Sequence, residues 1–105
     1  MTQELIQKVE QISKSAPAVI FMKGTPAFPQ CGFSARACQV LRAAGVDNPV
    51  AVDVLSDDPL WGALEEFTQW PTVPQIFIHG KFIGGCDIIC EMFERGELQK
   101  MLKQA

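Results

Sequence analysis

Two strand candidates with one helix-length pattern between them constrain this chain most. The first is the apolar run Ala18 to Met22, and the second covers residues 50–54. Between them, Cys31 opens a pattern that continues through Ala37, Cys38, Leu41 and Ala44 at helical spacing, with Gly45 as a natural stop. Strand, helix and strand in that order form a parallel pair joined by a right-handed crossover.

The flanking segments extend this unit. Leu5, Ile6, Val9 and Ile12 predict an amphipathic helix over residues 3–14, closed by Pro17. Residues 24–30 contain two prolines and a glycine and read as a loop. Ser56 and Asp57 suit an N-cap, before a stripe of Leu60, Trp61, Leu64 and Phe67. Residues 75–78 and 81–83 read as a hairpin turning at His79-Gly80, and Gly84-Gly85 ends it. Asp87 can cap a helix carrying Ile88, Ile89, Met92 and Phe93. Gly96 breaks that helix, and Leu98, Met101 and Leu102 suggest a last one. The expected order is α-β-α-β-α-β-β-α-α, with the hairpin added antiparallel to the same sheet and helices on both faces.

Length and charge narrow the function. A chain of 105 residues fits one domain, spanning 1–105, and can bury a core without disulfide staples. A net charge of −3 argues against nucleic-acid binding, which needs a basic stripe. No apolar run is long enough to span a bilayer. Residues 1–15 resemble neither a secretory signal nor an Arg-rich transit peptide, so the bacterial cytoplasm, or an organellar matrix for a processed form, is expected.

Cys31 is the candidate reactive thiol. It stands at a loop-to-helix junction, where the helix dipole and free backbone N–H groups favour a thiolate. Lys23, at the end of the preceding strand, adds positive charge. The competing reading is a buried apolar cysteine; a Pro-rich loop before Cys31 and a glycine after it oppose that. Cys38 falls two turns later, about 10 Å along the helix, too far for an unstrained disulfide with Cys31. Cys38 and Cys90 read as core residues. Cys86 and Cys90 are four apart without a second ligand pair, so zinc is not expected. His79 reads as a solvated turn residue.

Four segments, in order and at matching spacing, resemble the monothiol glutaredoxins. They are Met22-Lys23-Gly24-Thr25-Pro26, Pro29-Gln30-Cys31-Gly32-Phe33-Ser34, Trp70-Pro71-Thr72-Val73-Pro74-Gln75 and Gly84-Gly85-Cys86-Asp87. The resemblance covers nearly the whole chain. It implies a thioredoxin fold, an α/β architecture with a central four-stranded mixed sheet and helices on both faces. It also implies a cis Val73–Pro74 bond; the residues alone leave a simple Pro-bounded strand start equally open. Ser34 stands where dithiol relatives carry a second cysteine, so a mixed disulfide on Cys31 needs another thiol to resolve it. Cys86 is the candidate for that role.

The resemblance implies glutathione contacts from Lys23, Phe33, Thr72, Val73, Gly85, Cys86 and Asp87. The paired glycines let backbone approach a ligand, and N–H groups at a helix start suit a carboxylate. Asp87 can pair with the ligand's ammonium group as well as cap the helix. One position departs from the family pattern. Trp61 stands nine residues before Trp70, where relatives usually carry an arginine that clamps a carboxylate of glutathione. That task then falls to Lys23, or the indole face covers the ligand; Trp61 as plain core or as a partner contact also stays open.

Two functions follow from the resemblance. The first is a carrier of a [2Fe–2S] cluster, held in a homodimer by Cys31 of each chain and two glutathione thiols, since such clusters take four thiolates. Its implied partners are an iron–sulfur scaffold, recipient apo-proteins and BolA-like proteins. The second is a glutathione-dependent thiol–disulfide oxidoreductase acting through Cys31, at most a weak enzyme. A third, plain reading is a glutathione-binding adaptor, which leaves Cys31 without a purpose.

Overall fold

The computed structural model describes residues 2–104. Helix α1 (Thr2–Ser13) leads to strand β1 (Ala18–Met22), helix α2 (Gly32–Ala43) and strand β2 (Val50–Asp53). A 3-10 turn (Val54–Ser56) then enters helix α3 (Asp58–Thr68). Strands β3 (Gln75–Ile78) and β4 (Lys81–Gly84) precede helices α4 (Cys86–Glu94) and α5 (Glu97–Lys103). The sheet runs β2-β1-β3-β4. β1 pairs parallel with β2 and antiparallel with β3, which pairs antiparallel with β4. This is the expected four-stranded mixed sheet.

β1 is buried along its whole length because both faces of the sheet are covered. Ala18, Ile20 and Met22 meet Ala37, Cys38 and Leu41 of α2, with Ile89 of α4 and Leu98 of α5. Val19 and Phe21 face the other way, onto Val9 of α1, Leu60 and Leu64 of α3, and Phe77 of β3. Phe21 and Phe77 meet edge-on with centroids 5.6 Å apart. Truncating either to alanine costs about 3–5 kcal/mol. The alternation pins the strand register, since a one-residue slip exchanges the two cores.

Two local expectations need correction and two are sharpened. The second strand ends at Asp53, because the Asp53 carboxylate accepts from the Leu55 N–H at 3.0 Å and bends the chain into the 3-10 turn. Asp57, not Ser56, caps α3, accepting from the Leu60 N–H at 3.1 Å; the Ser56 hydroxyl donates to the Asp53 carbonyl instead. Gly85, not Asp87, occupies the N-cap of α4, and Asp87 lies in its first turn. Cys31 stands at the N-cap of α2, one residue ahead of the helix proper.

At the hairpin, His79 and Gly80 both take positive φ, at 51° and 80°, the backbone a tight two-residue turn demands. His79 is exposed, as expected, but it is also a tether. Its ring Nε2 donates to the Met101 carbonyl at 3.0 Å, and its backbone N–H to the Pro17 carbonyl at 2.8 Å.

Candidate functional site

The loop before α2 is built to place Cys31. Gly24 takes φ +88°, and a Cβ there would fall 2.5 Å from the Phe28 carbonyl oxygen. Only glycine fits that backbone and that approach. The Gly24 N–H donates to the Asp53 carboxylate at 2.9 Å, so the end of β2 holds the loop at the end of β1. The Gln30 N–H donates to the Lys23 carbonyl at 2.9 Å, closing the loop just before the cysteine.

Cys31 itself is extended, with φ −154° and ψ 137°, and partly exposed. Its thiol lies below the ordinary value of 9.0. The largest influence is the Ser34 backbone N–H, with the Phe33 N–H, the Lys23 charge and the Ser34 hydroxyl adding to it; partial burial opposes them. This is a helix N-terminus acting on a thiolate through its free donors. Ser34 therefore has a role of its own. It is fully buried, and its hydroxyl accepts from the Lys23 N–H at 3.1 Å, tying α2 to β1.

A second wall comes from the segment before β3. The Val73–Pro74 bond is cis, as the resemblance implied. Buried Gln75 holds this segment, its amide donating to the Trp70 and Thr72 carbonyls at 3.0 and 3.1 Å. The Trp70 ring packs edge-on against Phe82 at 6.0 Å. The third wall is the entry to α4. Gly84 takes φ +146°, and a Cβ there would fall 2.6 Å from the Ile88 side chain. At Gly85 a Cβ would come within 3.3 Å of the Pro74 carbonyl, so glycine lets the second and third walls approach closely.

These walls enclose a cleft of about 400 Å³. Cys31 lines it with Lys23, Phe33, Thr72, Val73, Gly85, Cys86 and Asp87. Every residue singled out for the site thus comes to one place, from four separate stretches of chain. Trp61, Trp70, Pro71, Pro74 and Ile88 complete the lining. Trp70 and Pro74 lay in the quoted motif, whereas Ile88 was read only as a helix-face residue. Asp53 and Gln75 shape the cleft without lining it. A polar residue directly after Pro74, at the head of an apolar strand, was the one available signal for Gln75.

Trp61 is neither plain core nor a bare surface contact. It is half-buried at the cleft, with the Lys23 ammonium 5.7 Å from its ring centroid, a cation–π pairing. Its indole N–H is buried without a partner.

The remaining cysteines differ from Cys31 and from one another. Cys38 is buried, as read, with its thiol donating to Met22 Sδ at 3.6 Å and pushed up by burial. Cys86 is 6% exposed. Burial first, then Cys90 and Asp87, push its thiol up to about 11. At pH 7 the neutral thiol is therefore the favoured form of Cys86. Cys90 is half-buried rather than core, because Arg36 reaches across from α2 and donates to its sulfur at 3.3 Å.

Comparison with known proteins gives one consistent answer. The glutaredoxin family profile matches residues 18–83. The chain is 46% identical over 107 aligned residues to the mitochondrial monothiol glutaredoxin-5 of Lachancea kluyveri, covering 100% of this chain and 75% of that protein. It is 52% identical over 87 residues to the probable monothiol glutaredoxin GrlA of Legionella pneumophila, covering 83% and 97%. Among solved structures, a buckwheat glutaredoxin–glutathione complex superposes with a TM-score of 0.84 at 32% identity, covering 96% of this chain and 89% of that one.

Proposed function

This chain belongs to the glutaredoxin family, in its monothiol branch, and from that premise we propose that it carries a [2Fe–2S] cluster between proteins, using Cys31 and bound glutathione. The observation that carries this reading is Cys31 itself, a partly exposed thiol held below its ordinary value at the mouth of a cleft. Among the described residues no three His, Cys, Asp or Glu side chains converge on one point. A cluster needing four thiolates therefore draws on a second copy and on small thiols. Phe33 is 63% exposed beside Cys31, and Phe28 is 75% exposed on the adjoining loop, which suits a face that meets a second copy.

The cleft suits glutathione, a tripeptide with carboxylates, an ammonium group and one thiol. Lys23 offers a cation for a carboxylate. Val73, just before Pro74, presents backbone for pairing an extended peptide. The N–H groups at the start of α4 attract a carboxylate, and Asp87 answers the ammonium group. The thiol then lies beside Cys31. Because half of the cluster's ligands are small molecules, the cargo can leave without breaking a protein-only cage. The partners in this reading are a scaffold that supplies the cluster, apo-proteins that receive it, and BolA-like proteins. Its setting is the bacterial cytoplasm or an organellar matrix.

The low-lying Cys31 thiol also supports a second reading, reduction of glutathione mixed disulfides. Cys31 would attack the mixed disulfide and take up glutathione, and a second glutathione would release it. Glutathione is the favoured resolving thiol for that last step, because burial, Cys90 and Asp87 raise the Cys86 thiol.

Reconstitution with iron, sulfide and glutathione separates the two. A coloured, glutathione-dependent dimer that Cys31→Ser abolishes is expected. A colourless monomer with brisk disulfide reductase turnover would overturn the carrier reading in favour of the second.

A further inference from the structure

Cys86 and Cys90 lie one turn apart on α4 with their sulfurs 3.9 Å apart. Arg36 donates its Nε–H to Cys90 Sγ at 3.3 Å. Cys86 borders the main cleft, whereas Cys90 lines a separate cavity of about 300 Å³ between α2 and α4, beside Arg36, Gln39, Phe93 and Glu94. Neither Arg36 nor Cys90 has any task in the cluster reading.

We propose that Cys86 and Cys90 form a second redox site, a dithiol that reduces small-molecule disulfides of the glutathione-disulfide class and closes to a Cys86–Cys90 disulfide. Closure requires the first turn of α4 to open. Residues four apart on a helix have Cα atoms about 6 Å apart, inside the roughly 4.4–6.8 Å that a disulfide spans, but their Cβ atoms, about 5–6 Å apart, must close to about 3.5–4.5 Å. The sulfurs need to approach by only about 2 Å. Cys86 is the first residue of α4 and follows two glycines, so the adjustment falls where a helix has fewest backbone bonds to lose.

Cys90 is the attacking thiol, since it is the more exposed of the two. As its thiolate, it bonds to one sulfur of the small disulfide. The original S–S bond breaks, and the departing thiolate takes a proton from solvent. The Arg36 guanidinium is the contact a thiolate takes up as it forms. Cys86 then gives its proton to water and attacks Cys90 Sγ, forming the internal disulfide and expelling the second small thiolate, which is protonated in turn. Two protein thiols are oxidised, and one disulfide is reduced to two thiols. Proximity offsets the scarcity of the Cys86 thiolate, because the step is intramolecular.

The test uses the Cys31→Ser chain treated with glutathione disulfide and read by intact mass and by alkylation. The expected product lacks two hydrogen atoms, retains no glutathione, and has a tryptic peptide 82–95 that resists alkylation until reduced. Adding Cys86→Ser is expected to stall the reaction with one glutathione on Cys90. Adding Cys90→Ser is expected to slow oxidation by at least about tenfold, as the intramolecular partner is lost. Arg36→Gln is expected to slow the first step several-fold while Tm holds. A Cys31→Ser chain that keeps glutathione as a lasting adduct, or in which Cys86 and Cys90 both remain alkylatable, would overturn the proposal. Cluster assembly plays no part in a chain without Cys31, so this outcome and that of the reconstitution are independent.

Discussion

Cys31 and Cys86 both stand at helix N-termini, and both line the same cleft, yet their thiols move in opposite directions. Cys31 is partly exposed, receives the Ser34 and Phe33 N–H groups, and has Lys23 nearby; its thiol falls. Cys86 is buried, and its neighbours Cys90 and Asp87 disfavour a second negative charge; its thiol rises to about 11. A helix start is thus not enough to activate a cysteine. Solvent access and the sign of the neighbours decide. In the proposed function the contrast divides the labour: Cys31 offers a thiolate to metal or disulfide, while the α4 start offers N–H groups and Asp87 to a ligand.

The largest effect on this contrast is expected from Ser34→Ala. The Lys23 N–H loses its acceptor at a part-buried position, at a cost of about 1–3 kcal/mol, and the Cys31 thiol rises with the loss of one contact. Urea unfolding and the pH profile of iodoacetamide labelling read the two consequences. An unchanged midpoint would show that the hydroxyl is not holding α2 to β1. Next is Trp61→Arg. It is expected to restore a carboxylate clamp and tighten glutathione binding by about tenfold, as a charge-assisted hydrogen bond supplies. Calorimetric titration with glutathione checks it, and equal affinities would mean that the Lys23–Trp61 pair already meets the need.

Lys23→Gln removes a lesser contribution to the Cys31 shift. Labelling of Cys31 at pH 7 is expected to slow by about two- to threefold, and the slowing should shrink in high salt. A further effect concerns stability at alkaline pH. The Cys86 thiol is raised in the fold from 9.0 to about 11, so the folded state holds a proton that the unfolded chain has released. Its contribution is complete below pH 9.0 and is lost as the pH rises toward 11. Unfolding midpoints should fall over that window, and less so in Cys86→Ala.

The sequence alone carried the element order and nearly all element positions, because both cores depend on local periodicity. β1 matches its apolar run residue for residue, and α3 follows the Leu60, Leu64 stripe. One boundary shifted because a side chain competes with the backbone, and the other without any side-chain cap. Asp53 ends β2 by capping its own turn, and Gly85 replaces Asp87 at the head of α4. Such contests turn on geometry that composition does not reveal.

The site divides in the same way. Cys31, Lys23 and the glycine-bearing segments were legible, since reactive residues stood in short contiguous motifs. Four things were decided only in three dimensions. Asp53 reaches back to Gly24 across the parallel pair, and Gln75 ties down the segment that carries Thr72. The Lys23 ammonium lies over Trp61, which turns an apparent gap in the family pattern into a cation–π pair. Cys90 meets Arg36 across two helices instead of entering the core. Periodicity and motif belong to neighbours along the chain, so the sequence could determine the elements and the reactive thiol. Charge, burial and reach depend on residues far apart in the chain, so only the tertiary structure decides which thiol is activated and what stands beside it.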